Sequence, residues 1–476
     1  MTVSRREFVV TSLAAAGVRW KGIDAPSPFS PLPSPRQLAW HQMEFYGFLH
    51  FTINTFTGRE WGYGDESPAL FNPTDFDADQ IVEAARDGGM KGLILTCKHH
   101  DGFCLWPSRF TEHRATRDYV KEISGACARA GVKFGVYLSP WDRNHRYYGR
   151  PEYLVYYRNQ LRELLTQYGP VFEIFFDGAN GGDGYYGGAY ERREIDNLTY
   201  YDWPNTWQLV RELQPDTVLF SDAGPDIRWV GNENGIAGET CWATQNSADF
   251  APGHADVARL NRGDRPGTNW VPAECDVSIR PGWFYHRHED DKVKTPEQLV
   301  DLYYKSVGRG ASFLLNLPPD RRGRIHENDV ASLRGFKRYI DATFGNDLAA
   351  GARVSATNAR PGCPAANVID GKRDTYWASD DGVKTPSLTL DFDREISFNV
   401  VRLREYLPLG QRVISIIVEM SRGRGGTWHE FGRATSIGNC RLIRGPRATT
   451  TRLRVRVTGA SVCPALSEVS VFTSAV

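Results

Sequence analysis

The sequence lacks an apolar run long enough to cross a bilayer. Its longest mostly apolar stretch near the start, Phe8 to Val18, falls short of the roughly 20 residues a spanning helix needs. It also lacks an excess of either charge. Lys+Arg and Asp+Glu stand at 57 each, so no polyanion or acidic membrane surface is indicated as a partner. Its eight cysteines show no paired metal-ligand spacing. Cys363, Cys440 and Cys463 leave an odd number in the last third, so at most one disulfide can form there. The histidines offer a single HxH, His286-Arg287-His288, in a charged loop-like stretch, and no HxxxH. Adjacent His99 and His100 would point opposite ways in an extended segment. A metal centre built from His50, His99, His100 and an aspartate is therefore disfavoured. Neither a metal nor a cofactor is expected.

At 476 residues the chain can hold one large domain and a smaller one. Aromatics are plentiful, with 13 Trp and 21 Tyr. That surplus suits packing against the C–H faces of sugars, and it equally suits a large core. Near the start, Ser4-Arg5-Arg6-Glu7-Phe8 is a twin-arginine pattern, followed by the apolar stretch and the small residues Ala14 to Ala16. It resembles a bacterial twin-arginine export signal, which implies a periplasmic or secreted protein. Residues 1–35 are read as this signal and a Pro/Ser-rich linker.

From residue 36 to 345, strand and helix patterns alternate. Phe45–Ile53, Gly92–Thr96, Phe134–Leu138, Val171–Phe176, Thr217–Phe220 and Ser312–Leu317 read as strands. Ala78–Asp87, Tyr119–Ala130 and Trp207–Leu213 read as helices between them. Thr295-Pro296-Glu297-Gln298 starts another, with a capping box and a proline at the first position. The fold class is α/β, a (β/α)8-type barrel. Six strands can be placed, while 221–279 reads as irregular and loop-rich. After residue 345 the period becomes two: Leu388, Leu390 and Phe392, then Ile414, Ile416, Val418 and Met420, then Leu453, Val455 and Val457. Residues 346–476 are thus expected to form an antiparallel β-sandwich. The run Asn367-Val-Ile-Asp-Gly-Lys-Arg-Asp-Thr-Tyr-Trp377 resembles the opening of discoidin-like (factor V/VIII type C) domains. Asp370 and Asp374 by themselves do not establish a calcium site.

The chemistry is sought where barrel strands end, because that face carries the active site in such folds. Glu173-Ile-Phe-Phe-Asp-Gly-Ala-Asn180 ends a buried strand at Asp177, and glycines follow. The bland alternative is that Asp177 only bonds turn amides. Other strand ends supply His50, Glu60-Trp61, Lys98-His99-His100-Asp101, Tyr137-Leu-Ser-Pro-Trp141-Asp142, Arg228 to Glu233, Glu274, and Trp283 to His286. Separated carboxylates among histidines and aromatics fit glycoside hydrolysis. A catalytically idle, lectin-like glycan binder is the competing reading.

Together, Glu60-Trp-Gly62, Lys98-His-His-Asp-Gly-Phe-Cys-Leu-Trp106, Tyr137-Leu-Ser-Pro-Trp-Asp142, Phe176-Asp-Gly-Ala-Asn180 and Gly282-Trp-Phe-Tyr-His286 resemble the α-L-fucosidases of glycoside hydrolase family 29. The resemblance runs from about Trp40 to Asp320. It implies a retaining enzyme with a covalent fucosyl-enzyme intermediate and Asp177 as nucleophile. His50, Trp61, His99, His100, Tyr137 and Trp283 match fucose-pocket residues, and Glu60 and Arg228 are counted with them. Trp229-Val-Gly-Asn-Glu233 and Pro272-Ala-Glu-Cys-Asp-Val-Ser-Ile-Arg-Pro-Gly-Trp283 look like the subgroup that removes α-1,3/1,4-linked fucose from Lewis-type glycans. In that reading Glu233 is the acid/base. Glu274, expected to touch the pocket as a substrate-binding group, competes for the role, with Glu239 behind it, and Glu274 as acid would go with a broad-specificity enzyme. The implied partners are fucosylated oligosaccharides or glycoconjugates.

Overall fold

Eight parallel strands close on themselves in the computed structural model, which describes residues 25–177, 185–186, 189–423 and 425–475. The twin-arginine motif and the glycine run at 181–184 lie outside these residues. The barrel strands are β1 Phe45–Leu49, β2 Gly92–Lys98, β3 Lys133–Leu138, β4 Val171–Phe175, β5 Val218–Ser221, β6 Ile227–Trp229, β7 Ala273–Ser278 and β8 Ser312–Asn316. Each pairs with its sequence neighbours, and β8 closes on β1 with Phe45 opposite Phe313. The two strands that the sequence pattern does not reveal are β6 and β7, both within 221–279. β6 is short, and residues 222–226 join it to β5 where a helix would be expected. β7 reads Ala-Glu-Cys-Asp-Val-Ser, and its polar residues occupy inward positions. A hydrophobicity pattern does not register such a strand.

The helices Ala78–Asp87, Tyr119–Ala130, Pro151–Gln167, Trp203–Leu213, Pro296–Lys305 and Glu327–Phe344 surround the barrel and bury one apolar face each against it. The capping box at Thr295 forms as its sequence implies, with Gln298 returning to the Thr295 N–H. Inside the barrel, Phe48, Ile94, Tyr137, Phe175, Phe220 and Leu314 pack into one cluster. Phe175 stacks on Phe220 with centroids 3.7 Å apart. This aromatic layer floors the carboxyl-end face. At the opposite end the helix Pro35–His41, capped by Ser34, closes the barrel. Its Trp40 Nε1 donates to Tyr46 Oη at 2.9 Å and to Glu173 at 3.1 Å.

The C-terminal domain has strands β9 Arg353–Ala356, β10 Trp377–Ala378, β11 Ser387–Glu405, β12 Val413–Ser421, β13 His429–Ala434, β14 Arg441–Ala460 and β15 Ala465–Phe472, paired antiparallel. The alternation follows the sequence: Leu453, Val455 and Val457 are buried. Arg452, Arg454 and Arg456 point the other way and pair with Asp391 and Glu419. All eight cysteines are buried free thiols, so no disulfide forms in the last third. Residues 25–34 are not a loose linker. Phe29 N–H donates to Leu409 O at 3.0 Å, Ser27 O accepts from Arg412 at 3.0 Å, and the chain then enters the Ser34-capped helix. No helix among the described residues is long and apolar enough to cross a membrane.

Candidate active site

A cavity of about 310 Å³ opens at the carboxyl ends of the barrel strands. Strands β1, β2 and β4 bring His50, His99, His100 and Asp177 to it. Loops add Glu60, Trp61, Trp141, Glu233 and Trp283. Tyr137 is fully buried behind this lining, with its ring against His99 and Phe175. Its hydroxyl donates to Asp177 Oδ2 at 3.0 Å.

The scaffold fixes which ring nitrogen of each histidine carries a proton. Asn316 Nδ2 donates to Ser278 Oγ and Trp283 O, so its Oδ1 is an acceptor, and it lies 2.9 Å from His50 Nδ1. His50 therefore holds its proton on Nδ1 and leaves Nε2 as a lone pair. Ser139 Oγ spends its hydrogen on Trp141 O at 2.6 Å and so accepts from His100 Nδ1 at 2.7 Å. His99 is the opposite case: Asn54 Nδ2 reaches its Nδ1 at 3.4 Å, which leaves Nε2–H as a donor. The cluster thus offers one donor and two acceptors to sugar hydroxyls. Burial pushes the His50 and His100 rings down to about 3. Burial, then the two neighbouring histidines, pushes His99 well down as well. All three are neutral at ordinary pH. His100 Nε2, 3.8 Å from Asp177 Oδ2, is then no ion pair. The Tyr137 hydroxyl is one donor to Asp177.

Arg228 lies elsewhere. Ile227 and Trp229 face the barrel interior, so the residue between them faces out. Its guanidinium donates to the carbonyls of Leu260 at 2.9 Å, Trp242 at 2.9 Å and Val271. Glu274 also fails to reach the cavity. It stands at the amino end of β7, where Tyr46 donates to it and Glu173 lies beside it. Burial, then the charge of Glu173, pushes its carboxyl well up. Glu239 is mostly exposed and paired with Arg309. Glu233 does line the cavity, from the loop after β6, and accepts from Trp283 Nε1 at 3.1 Å. Trp283 is held from two further sides. Its N–H donates to Glu60 Oε2 at 2.8 Å, and its carbonyl accepts from Asn316 at 2.8 Å. His286 bonds the other Glu60 oxygen at 2.7 Å. Trp61 is 60% exposed and sits edge-on to His100 and Trp141 at the mouth.

Two lining carboxyls escaped the sequence reading. Asp222 directly follows β5, so the strand-end rule that marked Asp177 would have found it. Burial, then the charge of Asp177, raises it to about 6. Asp276 is two residues beyond Glu274 on the inward face of β7 and accepts from Trp229 Nε1 at 2.8 Å. Burial, then Glu233 and Glu274, pushes its carboxyl well up.

A pocket with a tyrosine-held aspartate, a second carboxylate, a neutral histidine triad and aromatic walls is suited to a sugar. The model of the family described as alpha-L-fucosidase matches residues 36–343, and that of the F5/8 type C domain matches 352–467. This chain belongs to the α-L-fucosidases of glycoside hydrolase family 29. The enzyme is 43% identical to alpha-L-fucosidase 1 of Arabidopsis thaliana, over 88% of this chain and 83% of the relative. It is similar to a solved glycoside hydrolase 29 family member from an unknown rumen bacterium, with a TM-score of 0.84 and 41% identity over 94% of this chain and 78% of that one. It is also similar to a Ruminococcus gnavus GH29 fucosidase solved in complex with fucose, with a TM-score of 0.85 and 31% identity over 96% and 97% of the two chains. The α-L-fucosidase is thus a barrel enzyme with a discoidin-like C-terminal domain. Among its described residues, no group of three or more His, Cys, Asp or Glu is arranged to hold a metal ion.

Proposed function

We propose that the enzyme is a retaining exo-α-L-fucosidase acting on α-1,3/1,4-linked fucose of Lewis-type glycans, with Asp177 as nucleophile and Glu233 as general acid/base. The observation that carries the reading is the joint placement of Asp177 and Glu233 in one pocket, while Glu274 is held at the barrel's far end. His50, Glu60, Trp61, His99, His100, Tyr137 and Trp283 bind the fucose or hold the groups that do. Fucose carries a methyl where other hexoses bear a hydroxymethyl group, and Phe48, Phe175 and Trp283 supply apolar surface for it. In the first step Asp177 attacks the anomeric carbon and the bond to the aglycone oxygen breaks, with Glu233 delivering its proton to that oxygen. In the second, Glu233 takes a proton from water, which displaces Asp177. Such a double displacement needs the two carboxyls about 5–5.5 Å apart. The twin-arginine segment within residues 1–35 is proposed to direct export.

The test uses two variants and two substrates. Asp177→Gly should abolish hydrolysis of both a Lewis-type trisaccharide and an activated aryl fucoside, and azide should partly restore it. Glu233→Ala should lose far more activity on the trisaccharide, whose leaving group needs a proton, than on the aryl fucoside. Equal losses on both substrates for Glu233→Ala, or Asp177→Gly activity within about tenfold of the parent, would overturn the assignment.

A further inference from the structure

The loop that carries Glu233 leaves β6 at Trp229 and ends against the C-terminal domain. Its first half is a compact turn. Asn232 Oδ1 accepts from Asn234 N at 3.1 Å and Ile236 N at 3.3 Å, and Asn232 Nδ2 donates to Ile236 O at 2.8 Å. Glu233 stands on the crest of that turn and reaches Trp283. The second half is held from the barrel side, where Ala237 N donates to Lys305 O at 3.0 Å, Arg309 donates to Ala237 O at 2.6 Å and Trp242 N donates to Arg262 O at 2.8 Å, and also from the C-terminal domain. Arg441 Nη1 donates to Glu239 O at 3.1 Å, Thr435 shares a hydroxyl bond with Thr240, and Ser436 Oγ accepts from Cys241 N at 3.4 Å. Gln411 Oε1 accepts from Ala243 N at 2.9 Å. Arg441 is itself locked: it is 3% exposed and bonds Ser436 O at 2.7 Å and Ser436 Oγ at 2.6 Å. Further polar contacts between the domains fall on His41, Glu44, Arg265, Asp301, Gly308 and Thr343.

We propose that the C-terminal sandwich is a positioning element of the catalytic site: Arg441, Thr435 and Gln411 clamp residues 239–243 and thereby set where the Glu233 carboxyl stands. This rests on the reading of Glu233 as acid/base. The turn at 232–236 is internally bonded, Asn261, Lys305 and Arg309 tie Ile236 and Ala237 to the barrel, and the clamp holds the residues that follow. Loosening the clamp displaces the proton donor. Displacement on the order of 1 Å costs up to about a hundredfold in rate. Asp177 follows β4 and does not touch the clamp.

The experiment compares kcat/KM for a Lewis-type trisaccharide and an activated aryl fucoside. Arg441→Met should lower the trisaccharide-to-aryl ratio by about tenfold or more and leave the aryl value within about twofold. If Arg441→Met does not fold, Thr435→Val combined with Gln411→Leu removes two clamp bonds without burying a charge and should shift the ratio the same way. Arg444→Ala is the control. It lies on the same strand and contacts Asp301 and Tyr304 across the same interface, without touching the loop, so the ratio should stay unchanged. Equal losses on both substrates, an unchanged ratio in the clamp variants, or an equal ratio change in Arg444→Ala would overturn the proposal. Glu233→Ala separates this failure from that of the underlying reading. If it loses the trisaccharide selectively and the clamp variants do not, the clamp is wrong and the acid is right.

Discussion

Lys98 immediately precedes His99 and His100, and its ammonium is fully buried against Asp142, which directly follows the pocket residue Trp141. Lys98 Nζ lies 2.8 Å from Asp142 Oδ2, both side chains are 0% exposed, and Gln160 Oε1 accepts from Nζ at 3.0 Å. The rings of Tyr153, Tyr156 and Tyr157 surround the ammonium at 5.2–5.7 Å. Burial pushes the Asp142 carboxyl up, but Lys98, His145 and the N–H groups it accepts bring it below its ordinary value. Lys98→Met leaves that carboxylate uncompensated in a dry site. The expected loss of stability is about 3–5 kcal/mol, since one partner of a buried pair is removed and the other stays. The deficit should depend on pH. In the variant the folded-state carboxyl is raised above its unfolded value, so the folded chain holds the extra proton and stability recovers as pH falls towards 4. Adding Asp142→Asn removes the orphan charge. An amide oxygen can still accept from Asn144 N and His145 N, bonds of 3.0 and 2.8 Å in the parent. The double variant should therefore regain roughly 2 kcal/mol over Lys98→Met. Guanidinium denaturation of the barrel, followed at several pH values, measures all three terms. A single-variant loss under about 1 kcal/mol, a loss that ignores pH, or a double variant no better than the single would refute the argument.

Acid should destabilise the enzyme through its buried histidines. His50 and His100 have folded values of about 3 against 6.5 unfolded, so the unfolded chain takes up the protons first. Their contribution is intact above pH 6.5 and is lost as pH falls from there towards 3. Buried carboxyls such as Asp101, raised to about 7, act in the opposite direction, so the difference between variants is the useful quantity. His50→Gln should flatten the acid side of the stability profile by up to about 1.4 kcal/mol per pH unit, and an unchanged slope would mean that the ring is not buried neutral. Replacing Arg5 and Arg6 with Lys should strand the precursor in the cytoplasm of an exporting host. Undiminished export, read by cell fractionation, would rule out the twin-arginine route.

The amino-acid order alone determined the architecture. Repeats of strand and helix patterns called for a barrel, and the change to period two after residue 345 called for an antiparallel domain. Both patterns arise because a regular element buries one face. Asp177 was legible for the same reason, since an apolar strand that stops at a carboxylate marks the barrel's functional rim. The motif blocks that identify the family were legible because they sit on such strand ends.

Tertiary structure decided what depends on where a strand begins and which way each side chain turns. Glu274 and Asp276 share one face of β7, yet only Asp276 reaches the cavity, because the strand starts at Ala273 and Glu274 stands near its floor end. Arg228 lies between two inward residues and so turns away from the site. The protons on His50, His99 and His100 follow from Asn316, Asn54 and Ser139, residues far apart in sequence whose relation only the closed barrel creates. Sequence spacing encodes local periodicity. It does not encode the register between strands, and register determines which carboxyls meet.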